Sequence, residues 1–252
     1  MCAMKIIGLT GGIACGKSSV ARILRDTYHL PIVDADELSH EVISPGSATY
    51  HQVVAAFSRK DILAESPAES GSADRPIDRK KLGAIVFNDE EARRKLNGIM
   101  SPAIGWAMAK AIIAHYGRGT AFLVLDVPLL YETGMDRVCD EVLVVTVPPE
   151  LQLARLMARD DAGEADARAR IASQRMTAED KAKRSTFVIT NDGDAAALEK
   201  AVAALEPSLR AQTLLNRLTA WPVLAAFFVV SAAAAAAIVA RHARPQELLG
   251  EL

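Results

Sequence analysis

Short apolar runs separated by longer helical patterns set the rhythm of this 252-residue chain. Ile6–Leu9, Pro31–Val33, Ala121–Asp126 and Glu141–Val147 are apolar at consecutive positions and bounded by turn residues. Runs of that kind predict strands buried on both faces. Helical patterns fill the intervals at Ser18–Thr27, Asp36–Ile43, Glu90–Tyr116 and Pro149–Arg159. A fifth strand is expected at Phe187–Ile189, ahead of the turn Asn191-Asp192-Gly193. Strands alternating with helices predict an α/β domain around a parallel five-stranded sheet.

Three stretches depart from that rhythm. Residues 66–76 are polar without an apolar period and read as a surface loop. Residues 159–184 are densely charged and Ala-rich, which fits either a mobile lid or a solvated helix pair. Beyond them a helix is predicted over Ala195–Leu205, broken at Pro207 and resumed over Ser208–Leu218.

The third stretch is apolar. From Trp221 to Ala240 no residue is charged and Ser231 is the only polar side chain. Twenty such residues match the length of a membrane-spanning helix. Nine are Ala, so insertion must rest on Val223, Leu224, Phe227, Phe228, Val229, Val230, Ile238 and Val239. At roughly 0.3–0.6 kcal/mol each, their sum is only a few kcal/mol. The expectation is a single-pass C-terminal anchor on a tail of residues 213–252, with the preceding domain in the cytosol. The alternative is an Ala-rich helix packed on a partner. Arg241, His242 and Arg244 give a basic flank that suits the mitochondrial outer membrane.

Charge and cysteine content narrow the picture further. Lys and Arg total 29 against 31 Asp and Glu, which gives no reason to expect nucleic acid as a partner. Three cysteines without metal or redox spacing suit a reducing compartment. The N-terminus enters a strand at once and lacks the features of a secretory signal.

The chemistry starts at the first strand. Gly11-Gly12-Ile13-Ala14-Cys15-Gly16-Lys17-Ser18 matches G-x-x-x-x-G-K-[ST] between a strand and a helix that continues through Ser19. Glycines let the backbone wrap with N–H groups pointing inward, and the helix N-terminus adds partial positive charge. Lys17 is placed to reach the β- and γ-phosphates of ATP, and the Ser18 hydroxyl to ligate Mg²⁺. No Asn is followed by Lys, so the guanine-reading Asn-Lys-x-Asp motif is absent. That favours a small-molecule kinase over a GTPase.

Acceptor candidates follow at the carboxyl ends of later strands. Asp34-Ala35-Asp36 follows the second strand, where a carboxylate could take the proton of an attacking hydroxyl. Helix capping by Asp34 with Glu37 is the structural alternative. Asp126 ends its strand as a Mg²⁺-orienting acid often does, and is equally a plain strand-end acid. Arg155 and Arg159 share a helix face and could grip the transferring phosphoryl group, or simply be solvated.

In combination these residues resemble the dephospho-CoA kinases. The resemblance rests on the loop, on Val33-Asp34-Ala35-Asp36 and on Arg79-Lys80-Lys81-Leu82-Gly83 with Val86-Phe87. It also rests on Val127-Pro128-Leu129-Leu130-Tyr131-Glu132, Arg155-Leu156, Arg159-Asp160, Arg170-Ile171 with Gln174, and Val188-Ile189 with Asn191-Asp192-Gly193. It implies a P-loop kinase fold over residues 1–212, with a CoA-binding insertion at about 37–118 and a lid at about 155–184. It implies phosphorylation of the ribose 3′-hydroxyl of dephospho-CoA, with Asp36 as general base, Asn191 reading adenine, and Arg155 and Arg159 near the phosphates. Ser101-Pro102 stands where the family usually has His-Pro. A kinase of another small acceptor, such as a nucleoside monophosphate, or a non-catalytic nucleotide-binding adaptor are the rival readings.

Overall fold

The computed structural model describes residues 4–57, 61–65 and 74–210. The apolar stretch 221–240 lies outside them, as does most of the polar loop at 66–76. Among the described residues no helix is long and apolar enough to cross a membrane.

Two compact units divide the described chain. The first holds residues 4–35 and 112–210. Its sheet consists of β1 (Lys5–Gly11), β2 (Ile32–Asp34), β3 (Phe122–Asp126), β4 (Glu141–Thr146) and β5 (Phe187–Thr190). All neighbours are parallel, in the order β2-β3-β1-β4-β5. All seven residues of β1 are buried, as its unbroken apolar run requires of a central strand. The chain leaves β1 toward one side and β4 stands on the other, so the loops diverge at the carboxyl edge of β1, where open α/β sheets bind ligands.

Helices pack on this sheet through their apolar stripes. In α1 (Lys17–Asp26), Val20, Ala21, Ile23 and Leu24 are buried at helical spacing. They join Ile7, Leu9, Val124, Leu143 and Val145 in one core with Leu198, Val202 and Leu209 of the last helix, Ala195–Arg210. That helix runs through Pro207, against the predicted break. A proline there removes one backbone bond. The final turn is nevertheless held: Leu209 is fully buried, its carbonyl accepts from Lys5 Nζ at 2.9 Å, and Arg210 donates to the Tyr28 carbonyl at 2.9 Å.

The second unit holds the described residues between 36 and 111. It contains α2 (Ala35–Glu41) from its second residue, α3 (Ala48–Ala56), α4 (Arg79–Asn88) and most of α5 (Glu90–Gly117). Neither α3 nor α4 stood out as a periodic pattern in the sequence. Each is fixed by a cap: Ser47 Oγ accepts from Tyr50 N–H, and Asp78 from the N–H groups of Lys80 and Lys81. Their core is Tyr50, Val53, Phe57, Ile62, Ile77, Leu82 and Ala92.

Past β4, the first unit continues through α6 (Pro149–Asp160), α7 (Glu164–Ala172) and α8 (Ala178–Arg184), with the last helix becoming α9. The charged composition of 159–184 suggested a loosely held segment, yet its attachment is buried. Ala167 is fully buried, and Lys181 pairs with Glu132 at 3.0 Å with both side chains almost wholly shielded from solvent.

Candidate active site

The loop between β1 and α1 has the backbone that its glycines anticipate. Gly16 lies at φ +87°, ψ +21° and precedes a helix that begins without a side-chain cap. The N–H groups of Lys17 and Ser18 are therefore available to an anion, aided by the helix dipole, while those of Ser19 and Val20 donate to the Gly16 carbonyl. Ala14 is also left-handed, at φ +55°, an uncommon conformation for a residue with a Cβ. Left-handed residues at 14 and 16, alternating with others, curve the chain into the concave array of N–H groups called a nest.

Lys17 Nζ forms an ion pair with Asp126 Oδ1. The register explains the meeting: Asp126 ends β3 beside Leu9 of β1, and Asp34 ends β2 beside Asp126. Asp126 is almost completely buried, so it holds Lys17 where a phosphate chain would lie. Ser18 is exposed at the start of α1.

These two residues fit a hard cation of the Mg²⁺ type. One hydroxyl and one carboxylate are oxygen donors, and Mg²⁺ takes its remaining ligands from phosphates and water. Among the described residues no cluster of three or more His, Cys, Asp or Glu could hold an ion without such help.

A groove of about 440 Å³ opens beside the loop, lined by Gly16, Ser19, Ile23, Arg155, Asn191 and Gly193 among others. Asn191 is buried, and its Nδ2 donates to the Cys15 carbonyl at 2.9 Å. Arg155 donates to the carbonyls of Asn191 (2.9 Å) and Gly193 (3.4 Å). The adenine-reading residue expected from the sequence is thus an element of the loop's own frame, and Arg155 braces the groove wall.

Arg159 has a different partner. It forms two bonds to Asp160, at 2.7 and 3.0 Å, and Asp160 also takes Arg170. The Arg159 guanidinium holds the Asp160 carboxyl below the ordinary range, with Arg170 adding to the effect. Arg155 and Arg159 share a helix, but only Arg155 lines the groove.

Asp36 lies in the second unit, on the first turn of α2. The motif straddles a junction, as the helical pattern from Asp36 predicts: Asp34 closes β2 and Asp36 lies in the first turn of a helix, where a negative charge is favoured by the dipole.

Several contacts at the loop had no distinct sequence signal. Gln152 Nε2 donates to the Ile13 carbonyl at 2.8 Å, and Gln174 Oε1 accepts from Ile13 N–H at 2.9 Å. The Pro128 carbonyl accepts from both Thr10 Oγ1 (2.9 Å) and Lys181 Nζ (3.0 Å). Gln174 and Pro128 fell in segments carrying the family resemblance, but nothing in their spacing revealed whom they touch.

The comparisons with known proteins agree with this geometry. A family model described as dephospho-CoA kinase matches residues 5–197. A dephospho-CoA kinase of Saccharomyces cerevisiae is 40% identical over 232 residues, covering 90% of this chain and 93% of the relative. One from Geobacillus kaustophilus is 48% identical over 187 residues, covering 74% and 88%. Among solved structures, the dephospho-CoA kinase from Campylobacter jejuni gives a TM-score of 0.61 at 29% identity, covering 81% of this chain and 96% of that one. A loop built to hold phosphates, a strand-end acid on its lysine and a family match over three-quarters of the length lead to one assignment: the chain belongs to the dephospho-CoA kinase family.

Proposed function

We infer that this chain transfers the γ-phosphoryl group of ATP to the 3′-hydroxyl of the ribose of dephospho-CoA, giving coenzyme A and ADP. The observation that carries the reading is the Lys17–Asp126 pair at the mouth of the left-handed loop, in a chain of this family. On binding ATP, Lys17 exchanges the Asp126 carboxylate for phosphate oxygens, and the N–H groups of Ala14, Gly16, Lys17 and Ser18 surround the phosphate chain. Ser18 and the released Asp126 would hold Mg²⁺, which supplies neutralisation of the phosphate charge.

Asp36 accepts the proton of the 3′-hydroxyl as its oxygen bonds to phosphorus and the bond to the ADP oxygen breaks. Arg155 borders the nucleotide groove. Arg159 reaches the phosphates by giving up Asp160. Asn191 acts at the adenine end through the backbone that it shares with Arg155.

The deciding experiment uses the full-length chain with ATP, Mg²⁺ and a panel of acceptors. Turnover of dephospho-CoA is expected; turnover of a nucleoside monophosphate alone would overturn the acceptor. Asp36→Asn should lower turnover at least about a hundredfold while ATP affinity is kept. Near-normal turnover would remove Asp36 as the base. A chain that binds ATP but phosphorylates no acceptor would support a non-catalytic adaptor.

The same reading includes membrane attachment through residues 221–240, with the kinase domain on the cytosolic side. What supports it is the composition of the stretch itself, twenty residues without a charge and long enough for one membrane-spanning helix. Carbonate extraction of full-length protein from cells should leave it in the pellet. Release into the supernatant would favour packing of this segment on a partner.

A further inference from the structure

We propose that Gln152 and Gln174 are positioning residues for the phosphate chain of ATP, acting through the backbone on either side of Ile13. The proposal rests on the reading of the loop as the ATP site. In a trans peptide the C=O of one residue and the N–H of the next point in opposite directions. Gln152 draws the Ile13 carbonyl toward α6, which turns the Ala14 N–H the other way. Asn191 does the same to the Cys15 carbonyl, which turns the Gly16 N–H. Ala14 and Gly16 are the two left-handed residues of the loop. Among the described residues neither of their N–H groups has a hydrogen-bond partner, so both remain for an anion.

Gln174 completes the frame by fixing the peptide before Ile13. Its Oε1 takes the Ile13 N–H, so this group is withdrawn from the nest and both peptides flanking Ile13 are held. The polarity of each amide is forced, because a backbone N–H only donates and a C=O only accepts. The two amides close over the preceding residue, Gly12. A Cβ on Gly12 would stand 3.1 Å from Gln152 Nε2 and 3.5 Å from Gln174 Oε1.

Ala14 lacks the freedom of glycine, so a left-handed backbone there needs outside support. Two amides borne on α6 and on the α7–α8 connection supply it. The charged segment thereby sets the direction of the phosphate-binding N–H groups.

The test compares Gln152→Glu with Gln174→Glu in the full-length chain. Both substitutions add one negative charge at the same turn, so general repulsion of ATP is shared. The carboxylate at 152 faces the loop carbonyl of Ile13 and must repel it, whereas the one at 174 still accepts from the loop N–H and repels only the Ile171 carbonyl, outside the loop. The KM for ATP and its calorimetric affinity should worsen by about tenfold more in Gln152→Glu than in Gln174→Glu. The KM for dephospho-CoA should stay within about twofold in both. If Gln152→Glu does not fold, Gln152→Leu removes the donor without charge and should still weaken ATP severalfold.

Equal losses in the two Glu variants overturn the positioning role. So does a parallel rise in the KM for dephospho-CoA, or a Gln152→Leu chain that binds ATP like the wild type. A wild-type chain with no ATP affinity would instead sink the kinase reading itself.

Discussion

The ammonium of Lys17 rests on the carboxylate of Asp126, which ends the strand beside the one that launches the loop of Lys17. Lys17→Met removes the ammonium from a nearly fully buried carboxylate and should cost about 3 kcal/mol of stability. Adding Asp126→Asn should recover most of that loss. Turnover should remain at least about a hundredfold down in both, because the cation on the phosphates is gone. Denaturant melts and steady-state rates read the two effects separately; recovery of activity in the double variant would refute the role of Lys17.

The Lys181–Glu132 pair is the second buried ion pair at this edge. Lys181 also donates to Pro128, so it ties α8 to the segment after β3. Lys181→Met should cost about 3 kcal/mol by stranding Glu132, and the amides of α8 should exchange faster with solvent. A cost below about 1 kcal/mol, with unchanged exchange, would show that α8 is fixed by other contacts.

Gly16 is the loop position least able to accept a side chain. Its φ of +87° disfavours any L-residue, and a Cβ there would collide with Asn191 Nδ2. Gly16→Ala should destabilise by roughly 1–2 kcal/mol and weaken ATP binding more than about tenfold, since relief of the clash displaces the Cys15 carbonyl bond. Calorimetry with ATP checks this; wild-type affinity would mean that the left-handed turn is dispensable.

The described cysteines should be slow to alkylate. Burial raises the Cys15 thiol, and the Lys17 backbone N–H and charge only partly offset it; burial raises Cys139 well beyond its usual range. The thiolate is the reactive form, so both should label slowly near pH 7.5 and rapidly on unfolding. The folded thiols bind their protons more tightly than the unfolded ones. Their contribution therefore favours the fold at neutral pH and declines as pH rises above the ordinary thiol range. Peptide mapping after iodoacetamide treatment reads each cysteine; fast native labelling at Cys15 would show an open loop.

The central strands β1, β3 and β4 and the loop were legible because burial on both faces and the need for glycine both write themselves into local sequence, while the edge strands β2 and β5 showed only as short apolar runs. Asp126 was legible as an acid at a strand end, but its partner came from the register with β1. Helices α3 and α4 were not legible, since each is short and held by one capping residue and a small core. Gln152 falls within the predicted helix Pro149–Arg159 and carries no signal of its own. Its meaning depends on where α6 crosses the loop, which no local period records. Pro207 misled for the same reason: the contacts that carry α9 past it come from Lys5 and Tyr28, far away in the sequence.

That grip of Lys5 on the Leu209 carbonyl has a mechanical consequence. Lys5 opens β1 and Gly11 closes it toward the loop, six residues or about 20 Å further along. The end of α9 is therefore fastened at the rim of the sheet opposite the phosphate loop, and a force on Arg210 is delivered first to a buried lysine and the first residue of the central strand.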